Sequence, residues 1–167
     1  MSESIAEKHT LYSSIREEYI EYVFLSEICS NAWAADKFIS IARSQTDAFG
    51  YDVILTCDGM SRHVQLKAMA EGGKASFQKV NTGLSKAPSG CVVWLIVDRD
   101  RLQIKSIGWF GAKPGKPLPD LGDEIAMHNK GNKDGLKKER PNIRKVKKSR
   151  FEWLDNTDQL ICRLFEQ

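Results

Sequence analysis

The chain of 167 residues has no long apolar segment and no internal repeat. No hydrophobic run approaches the ~20 residues that a helix needs to cross a bilayer. The first residues, Met1 to Lys8, have neither the basic start nor the apolar stretch of a secretory signal peptide. We therefore expect a cytoplasmic protein that does not contact a membrane.

The four cysteines are also far apart, and no two of them have the CxxC spacing that is typical of zinc sites. Cys29, Cys57, Cys91 and Cys162 each lie in an apolar context, which favours buried free thiols in a reducing compartment. We likewise predict that the four tryptophans lie in the hydrophobic core rather than on the surface as platforms for nucleic-acid bases.

The charge of the chain is small but unevenly distributed. The net charge is +3, yet ten basic and two acidic residues between His128 and Arg150 give +8, which leaves −5 for the rest. Such a basic segment favours a polyanionic partner; the alternative is a solvated charged loop. The candidate nucleic-acid-binding residues are Lys137, Lys138, Arg140, Arg144, Lys145, Lys147, Lys148 and Arg150.

The pattern of apolar residues predicts an α/β fold with a mixed sheet. The predicted elements are a helix from Ser13 or Ser14, either of which can cap it, to Trp33, strands over residues 38–42, 51–57, 61–69, 91–97 and 102–109, and a helix over residues 76–87. Asp58-Gly59 predicts a hairpin between the second and third strands.

The predicted organisation is a flexible N-terminus, residues 1–12, followed by one domain over residues 13–167. Its composition, 41% hydrophobic and 28% charged, suits a globular domain with its own core. Within that domain we expect a core at residues 13–110, a basic, loop-rich excursion at 111–150 and a C-terminal helix at 151–167.

Two neighbouring strands carry polar residues that are out of place in a hydrophobic sheet. Asp52 lies near the start of one, and Gln65 and Lys67 lie two positions apart in the other. Because strand side chains alternate between faces, Gln65 and Lys67 point the same way. Taken singly, Asp52 fits a turn residue and Lys67 fits an edge-strand lysine. Taken together, they have the layout of a phosphodiester-cleaving site.

The first helix carries acids on its apolar side. At about 100° per residue, Glu17 and Glu21 fall within the apolar stripe that runs from Phe24 to Ala32. A buried carboxylate is unfavourable unless it is paired or binds a metal. The alternatives are that Arg16 or another base pairs with it, that this end of the helix is exposed, or that a glutamate of the helix is a metal ligand.

This arrangement resembles the PD-(D/E)XK nuclease superfamily, which has the restriction-endonuclease-like fold. The resemblance depends on Glu21 in the helix, Asp52 after Gly-Tyr, and Gln65-x-Lys67 in the next strand, and it covers residues 13–97 as a fold pattern. The Gly-x-Asp and Gln-x-Lys sequences are most similar to Mrr-like and related defence or restriction branches. The implied core is αβββαβ with a mixed sheet.

The resemblance implies a DNA endonuclease that uses Mg²⁺, with Mn²⁺ as a substitute. Its catalytic residues would be Asp52, Gln65, Lys67 and Glu21, and its metal ligands would be Asp52, Gln65, Glu21 and Glu17. The implied partners are double-stranded DNA and either a second copy of the chain or another subunit of a defence system. Gln65 stands where the family usually has Asp or Glu. The alternative is therefore a related fold with impaired metal binding that acts as a nucleic-acid- or partner-binding module.

Overall fold

The protein has an α/β fold with a mixed sheet, as the sequence predicts. The structure is a computed structural model that describes residues 5–131 and 135–166. Outside the described residues lie 1–4 of the predicted flexible N-terminus, 132–134 of the basic segment and Gln167 of the predicted C-terminal helix. None of the helices in the described ranges is long and apolar enough to cross a membrane.

The α-helices are α1 (Ile5–Leu11), α2 (Ser13–Ala34) and α3 (Thr157–Phe165). Helix α1 occupies most of the segment predicted to be flexible. Helix α2 begins where the sequence predicts, but neither serine caps it, because Tyr12 occupies the N-cap position and makes no capping hydrogen bond. Helix α3 is capped by Asn156, whose side-chain oxygen accepts a hydrogen bond from Gln159 N at 2.9 Å.

The larger sheet contains β1 (Ser40–Arg43), β2 (Val53–Cys57), β3 (Met60–Ala70), β5 (Gly90–Val97), β6 (Ile104–Gly111) and β9 (Glu152–Leu154), in this spatial order. Strands β3 and β5 are parallel, and the other neighbouring pairs are antiparallel. The hairpin between β2 and β3 turns at Asp58 and Gly59, which both have positive φ, so that prediction is confirmed.

The smaller sheet contains β4 (Phe77–Asn81), β8 (Glu139–Lys147) and β7 (Ile125–Met127), in this spatial order. The helix predicted over residues 76–87 is therefore wrong, because β4 and a 3₁₀ turn, Thr82–Lys86, take its place. The apolar residues of this segment lie three and four positions apart, a spacing that fits a helix when the segment is considered alone. Pairing with β8 satisfies the backbone of β4 instead and buries Val80.

The C-terminal part also differs from its prediction. The basic excursion contains the strands β7 and β8 and ends in a 3₁₀ turn, Lys148–Arg150, so it is less loop-like than expected. The closing helix begins at Thr157 rather than at residue 151, because residues 152–154 form β9 at the edge of the larger sheet.

Two hydrophobic clusters lie on opposite faces of the larger sheet. Successive residues of β5 alternate between them: Val93 and Leu95 pack with α2 and α3, whereas Val92 and Trp94 pack with the smaller sheet. The sheet is thus covered on both sides. Because both faces of β5 are buried, its sequence is a continuous apolar run.

Some residues predicted to be buried are exposed. All four cysteines are free, but Cys29 is exposed and Cys162 is half-buried. Trp94 and Trp109 lie in the core as predicted, whereas Trp33 is 72% exposed. The prediction is therefore wrong for Cys29 and Trp33, which both lie on α2.

Candidate functional site

Asp52 is fixed immediately before β2. Its backbone N donates to Val64 O, and its carbonyl O accepts from Ser44 N, both at 2.8 Å. Its carboxylate Oδ2 accepts a hydrogen bond from Leu66 N at 2.6 Å. The main chain and the carboxylate of Asp52 are therefore both held in place. The other carboxylate oxygen, Oδ1, takes no part in the hydrogen bond from Leu66 N.

Gly50 explains why the chain reaches Asp52 in this conformation. Its φ is +77°, and a Cβ added there would lie 2.8 Å from Leu84 N. A larger residue would be strained and would push against the 3₁₀ turn that follows β4. The glycine thus lets the segment before Asp52 pack closely against the smaller sheet.

Gln65 and Lys67 lie on the same face of β3, as predicted. Gln65 is 8% exposed, and its Oε1 atom is buried with no hydrogen-bond partner among the described residues. Lys67 is half-buried. The two side chains project toward the face on which β5 presents Val92 and Trp94, their partners in the parallel register.

Burial sets the charge states of Asp52 and Lys67. Desolvation raises the pKa of Asp52, although the Leu66 N–H and the charge of Lys67 act in the opposite direction. Desolvation also lowers the pKa of Lys67, and the charges of Asp52 and Glu17 partly offset this effect. Both groups are therefore shifted toward their neutral forms, as is common where ionisable groups do chemistry.

These residues line a cleft with two adjoining lobes of about 410 and 350 Å³. Glu17, Asp52, Leu66 and Lys67 line both lobes. Glu21 lines the larger lobe, and Gln65 lines the smaller one. The structure therefore brings all five residues predicted for catalysis or metal binding to one cleft.

The two helix glutamates are in different environments. Glu21 Oε1 lies 2.8 Å from Arg43 Nε, so a base does pair with it, but the base comes from β1 and is not Arg16. Burial raises the pKa of Glu21, and Arg43 opposes that shift. Glu17 is exposed and lines both lobes, so it is the more available carboxylate of the cleft.

The predicted basic residues are distributed unequally. Arg140 lines the smaller lobe, and its charge contributes to the lowered pKa of Lys67. Lys145 and Lys147 lie on the face of β8 that also carries Ile143, which lines the same lobe. Lys137 and Lys138 precede β8 and are exposed. Part of the basic segment thus borders the cleft.

Other predicted basic residues make local contacts. Arg144 donates to Pro141 O at 2.6 Å, and Arg150 donates to Asp120 O at 2.5 Å. The Lys148 ammonium lies 5.0 Å from the centre of the Trp153 ring. These three side chains also have structural roles, which distinguishes them from Arg140.

Lys79 and Asn81 also line the smaller lobe, and sequence reasoning did not identify them. Lys79 donates to Asn129 Oδ1 at 2.6 Å, and the Asn81 amide donates to Asp47 O at 3.2 Å. Both residues are on β4, in the segment predicted to be helical. If this segment were predicted as a strand, Lys79 and Asn81, two positions apart, would be expected on the same face of it.

The donor set fits a weakly held hard cation. Across residues 5–131 and 135–166, no group of three or more His, Cys, Asp or Glu side chains is placed to hold a metal ion. A site at Asp52 therefore needs an amide oxygen, and the orphaned Gln65 Oε1 supplies one. Carboxylate and amide oxygens suit Mg²⁺, which keeps several of its waters, better than Zn²⁺, which favours nitrogen and sulfur.

Comparison with known protein families, with curated proteins and with solved structures finds no match to this chain. The cleft combines a fixed carboxylate, a buried amide oxygen and a desolvated lysine, and a basic residue of the smaller sheet borders it.

Proposed function

We propose that this protein is a Mg²⁺-dependent DNA endonuclease of the PD-(D/E)XK superfamily, with Mn²⁺ as a substitute cofactor. The observation that carries the proposal is the buried, unpartnered Gln65 Oε1, beside Lys67 in a lobe that Asp52 also lines. An unsatisfied buried carbonyl costs roughly 1–3 kcal/mol. A cation that binds this oxygen would remove that cost.

Asp52, Gln65 and Glu17 would hold the ion. Glu17 is preferred to Glu21 because it lines the same lobe as Gln65, whereas Arg43 pairs with Glu21. When bound, Mg²⁺ supplies Lewis-acid polarisation of the phosphoryl group. The hydrogen bond from Leu66 N fixes Asp52, so little reorganisation is needed when the ion binds.

Lys67 is the proposed proton acceptor and orienting group. Its lowered pKa increases the fraction of neutral amine at a given pH, and Nζ can then take a proton from the attacking water. The resulting ammonium also stabilises charge that develops on the phosphate. Arg140 and Lys79 line the smaller lobe, and we expect them to contact flanking phosphates.

Bacterial defence or restriction is the setting that the Gly-x-Asp and Gln-x-Lys sequences favour, with a cytoplasmic location. Free thiols are stable in a reducing compartment, and all four cysteines are free. Duplex DNA is the proposed substrate. Its phosphates carry a dense negative charge, which the basic segment can bind without contacts to the bases.

The proposal is tested with a supercoiled plasmid and Mg²⁺ or Mn²⁺. We expect nicking by the wild-type protein, inhibition by a chelator, and losses of about 100-fold or more in Asp52→Asn and Lys67→Met. Lys105→Met, an exposed change on β6, is the matched control for the lysine substitution and should be fully active. Cleavage that persists in both cleft variants, or in the chelator, would refute the assignment.

A non-catalytic nucleic-acid- or partner-binding module is the second candidate. The amide in place of an acid at Gln65, together with the lack of a three-residue metal cluster in the described chain, favours it. It predicts metal-independent DNA binding with no cleavage of duplex, single-stranded or modified substrates. The same plasmid assay, combined with a binding measurement in the chelator, separates the two candidates.

A further inference from the structure

Helix α2 has a second apolar stripe, on its outer side. It comprises Tyr12 at the N-cap and the α2 residues Ile15, Tyr19, Tyr22, Ser26, Cys29 and Trp33, which we call the outer stripe. The five large residues among them are between 44% and 72% exposed. The side chains that α2 buries against the sheet, such as Phe24 and Ile28, lie on the opposite side.

The outer stripe has the spacing of a helix–helix interface. Its members recur at alternating intervals of three and four residues over the whole of α2. This is the heptad pattern of helices that pack side by side, and it is maintained for about 32 Å along the axis. A helix with a solvent-facing outer side would carry charged residues at these positions.

The exposed area is close to what a stable dimer needs. The five large residues and the neighbouring Leu11, which is 65% exposed, present about 650 Å² if each contributes ~200 Å² when fully exposed. The largest apolar patch of a typical monomer is about 300–600 Å². A standard interface buries about 800 Å² per partner.

The two ends of the stripe differ: one has a groove and the other has an exposed large side chain. At its start, a groove of about 220 Å³ is lined by Tyr12, Ile15, Tyr19 and Leu102, among others. At its end stands Trp33, the most exposed of the large hydrophobic side chains described, in edge-to-face contact with Phe38. The groove is smaller than the ~300–1,000 Å³ of small-molecule sites, but it has the scale of a side chain.

We propose that two copies of this chain form an antiparallel dimer through the outer stripes of their α2 helices, with Trp33 of each copy in the groove of the other. This is an isologous interface, in which each groove–tryptophan contact occurs twice about one two-fold axis. The axis passes near Tyr22, midway between Tyr12 and Trp33. The dimer does not depend on the proposed nuclease activity.

Packing favours the antiparallel orientation. It places Tyr19 opposite Ser26 and Ile15 opposite Cys29, so that at the axis Tyr22 faces its own copy. A parallel pair would place every residue of the stripe beside its own copy, so Tyr19 and Tyr22 would each face a tyrosine and a gap would remain at Ser26. Close packing without gaps is what stabilises such an interface.

Charge favours the same orientation. Lys8, Arg16, Arg99 and Arg101 surround the groove, with Asp100 as its acidic residue. A parallel pair would bring the two cationic ends together. The antiparallel pair places each of them near the partner's α2 C-terminus, which carries the negative end of the helix dipole and the exposed Asp36.

The mass of the full-length chain in solution tests the dimer. We expect sedimentation to give twice 18.9 kDa at micromolar concentrations. Trp33→Asp and Ile15→Asp should each weaken the dimer by at least about 25-fold, as expected for a hot-spot residue. Leu136→Asp, which changes a residue that is 68% exposed and outside α2, should leave it unchanged. Thermal melting checks that the variants are folded.

A wild-type protein that is monomeric throughout this range would overturn the proposal, and this includes the case in which the stripe binds a different protein. A dimer that Trp33→Asp and Leu136→Asp affect equally would overturn it as well.

Oxidative cross-linking tests the orientation. In the antiparallel dimer the two Cys29 residues are about 20 Å apart along the helix, well beyond the ~4.4–6.8 Å between Cα atoms that a disulfide requires. The native dimer should therefore not cross-link through Cys29, whereas Tyr22→Cys in a Cys29→Ser chain should cross-link readily. A parallel pair would place both residues beside their own copies, so cross-linking of the native dimer through Cys29 would show a parallel pair and overturn the arrangement. A Tyr22→Cys dimer that does not cross-link would overturn it as well.

Discussion

Single residues of the cleft oppose the stability of the fold. Burial raises the pKa of Asp52 in the folded protein, so the fold loses stability as the pH rises from the pKa of Asp52 in the unfolded chain to its pKa in the folded protein. Burial lowers the pKa of Lys67, so the cost of burying its ammonium group is greatest below its pKa in the folded protein. That cost decreases as the pH rises from this pKa to the pKa of Lys67 in the unfolded chain. Such groups are retained where they serve a function.

Lys67→Met should stabilise the protein at neutral pH. Methionine preserves most of the packing and removes a desolvated ammonium, so the melting temperature should rise by about 2–4 °C, the change that ~1 kcal/mol produces in a chain of this size. Differential scanning calorimetry checks this, with Lys105→Met as the exposed control that should change little. A lower melting temperature for Lys67→Met would show that its attraction to Asp52 outweighs desolvation.

Gln65→Glu should strengthen metal binding. A carboxylate at this buried position adds negative charge beside Asp52, so the affinity for Mn²⁺ should increase by about 10-fold or more, measured by calorimetry. Without metal the variant should be less stable than the wild-type protein at neutral pH, because two buried carboxylates repel each other. Gln65→Leu is the counterpart that should bind Mn²⁺ more weakly, and equal affinities for the three proteins would exclude Gln65 as a ligand.

At the scale of elements, the sequence predicts the helices and strands whose local residue pattern matches the way they pack in the fold. Helix α2, the Asp58-Gly59 hairpin and the buried β5 are of this kind. The segment that became β4 is not, because its partner β8 lies far along the chain. Asp52, Gln65 and Lys67 could be found because their polarity conflicts with buried strands, whereas Lys79 could not, since its place in the cleft depends on that long-range pairing.

The strands β4 and β8 should form the DNA-contacting border of the cleft. In an Asp52→Asn background, Lys79 and Arg140 are both replaced by alanine, which should remove about two phosphate contacts. The slope of log K against log salt for duplex binding should then become shallower by ~1.8. Lys148→Ala with Arg150→Ala is the matched control, because both side chains lie over aromatic rings of the core. Fluorescence anisotropy gives both slopes, and a larger loss in the control pair would contradict this placement.

At the scale of the molecule, the larger sheet separates two hydrophobic clusters, and the cleft draws residues from both sides of it. Glu17 and Glu21 come from α2 on one side, and Lys79 and Arg140 come from the smaller sheet on the other. Asp52 and β3 connect them. The same layout leaves the outer side of α2 free to pair with a second copy, so the dimer and the cleft use opposite sides of one helix.

A crystal of the protein soaked with Mn²⁺ would show directly whether Asp52 and Gln65 bind a metal ion. We expect an anomalous peak within coordination distance, about 2.0–2.3 Å, of Asp52 and of Gln65 Oε1, with Glu17 turned toward it. The peak should be lost in Asp52→Asn. A direct ion pair between Lys67 and Asp52, with Gln65 Oε1 hydrogen-bonded to protein or water and no Mn²⁺ in the cleft, would contradict the proposed metal site.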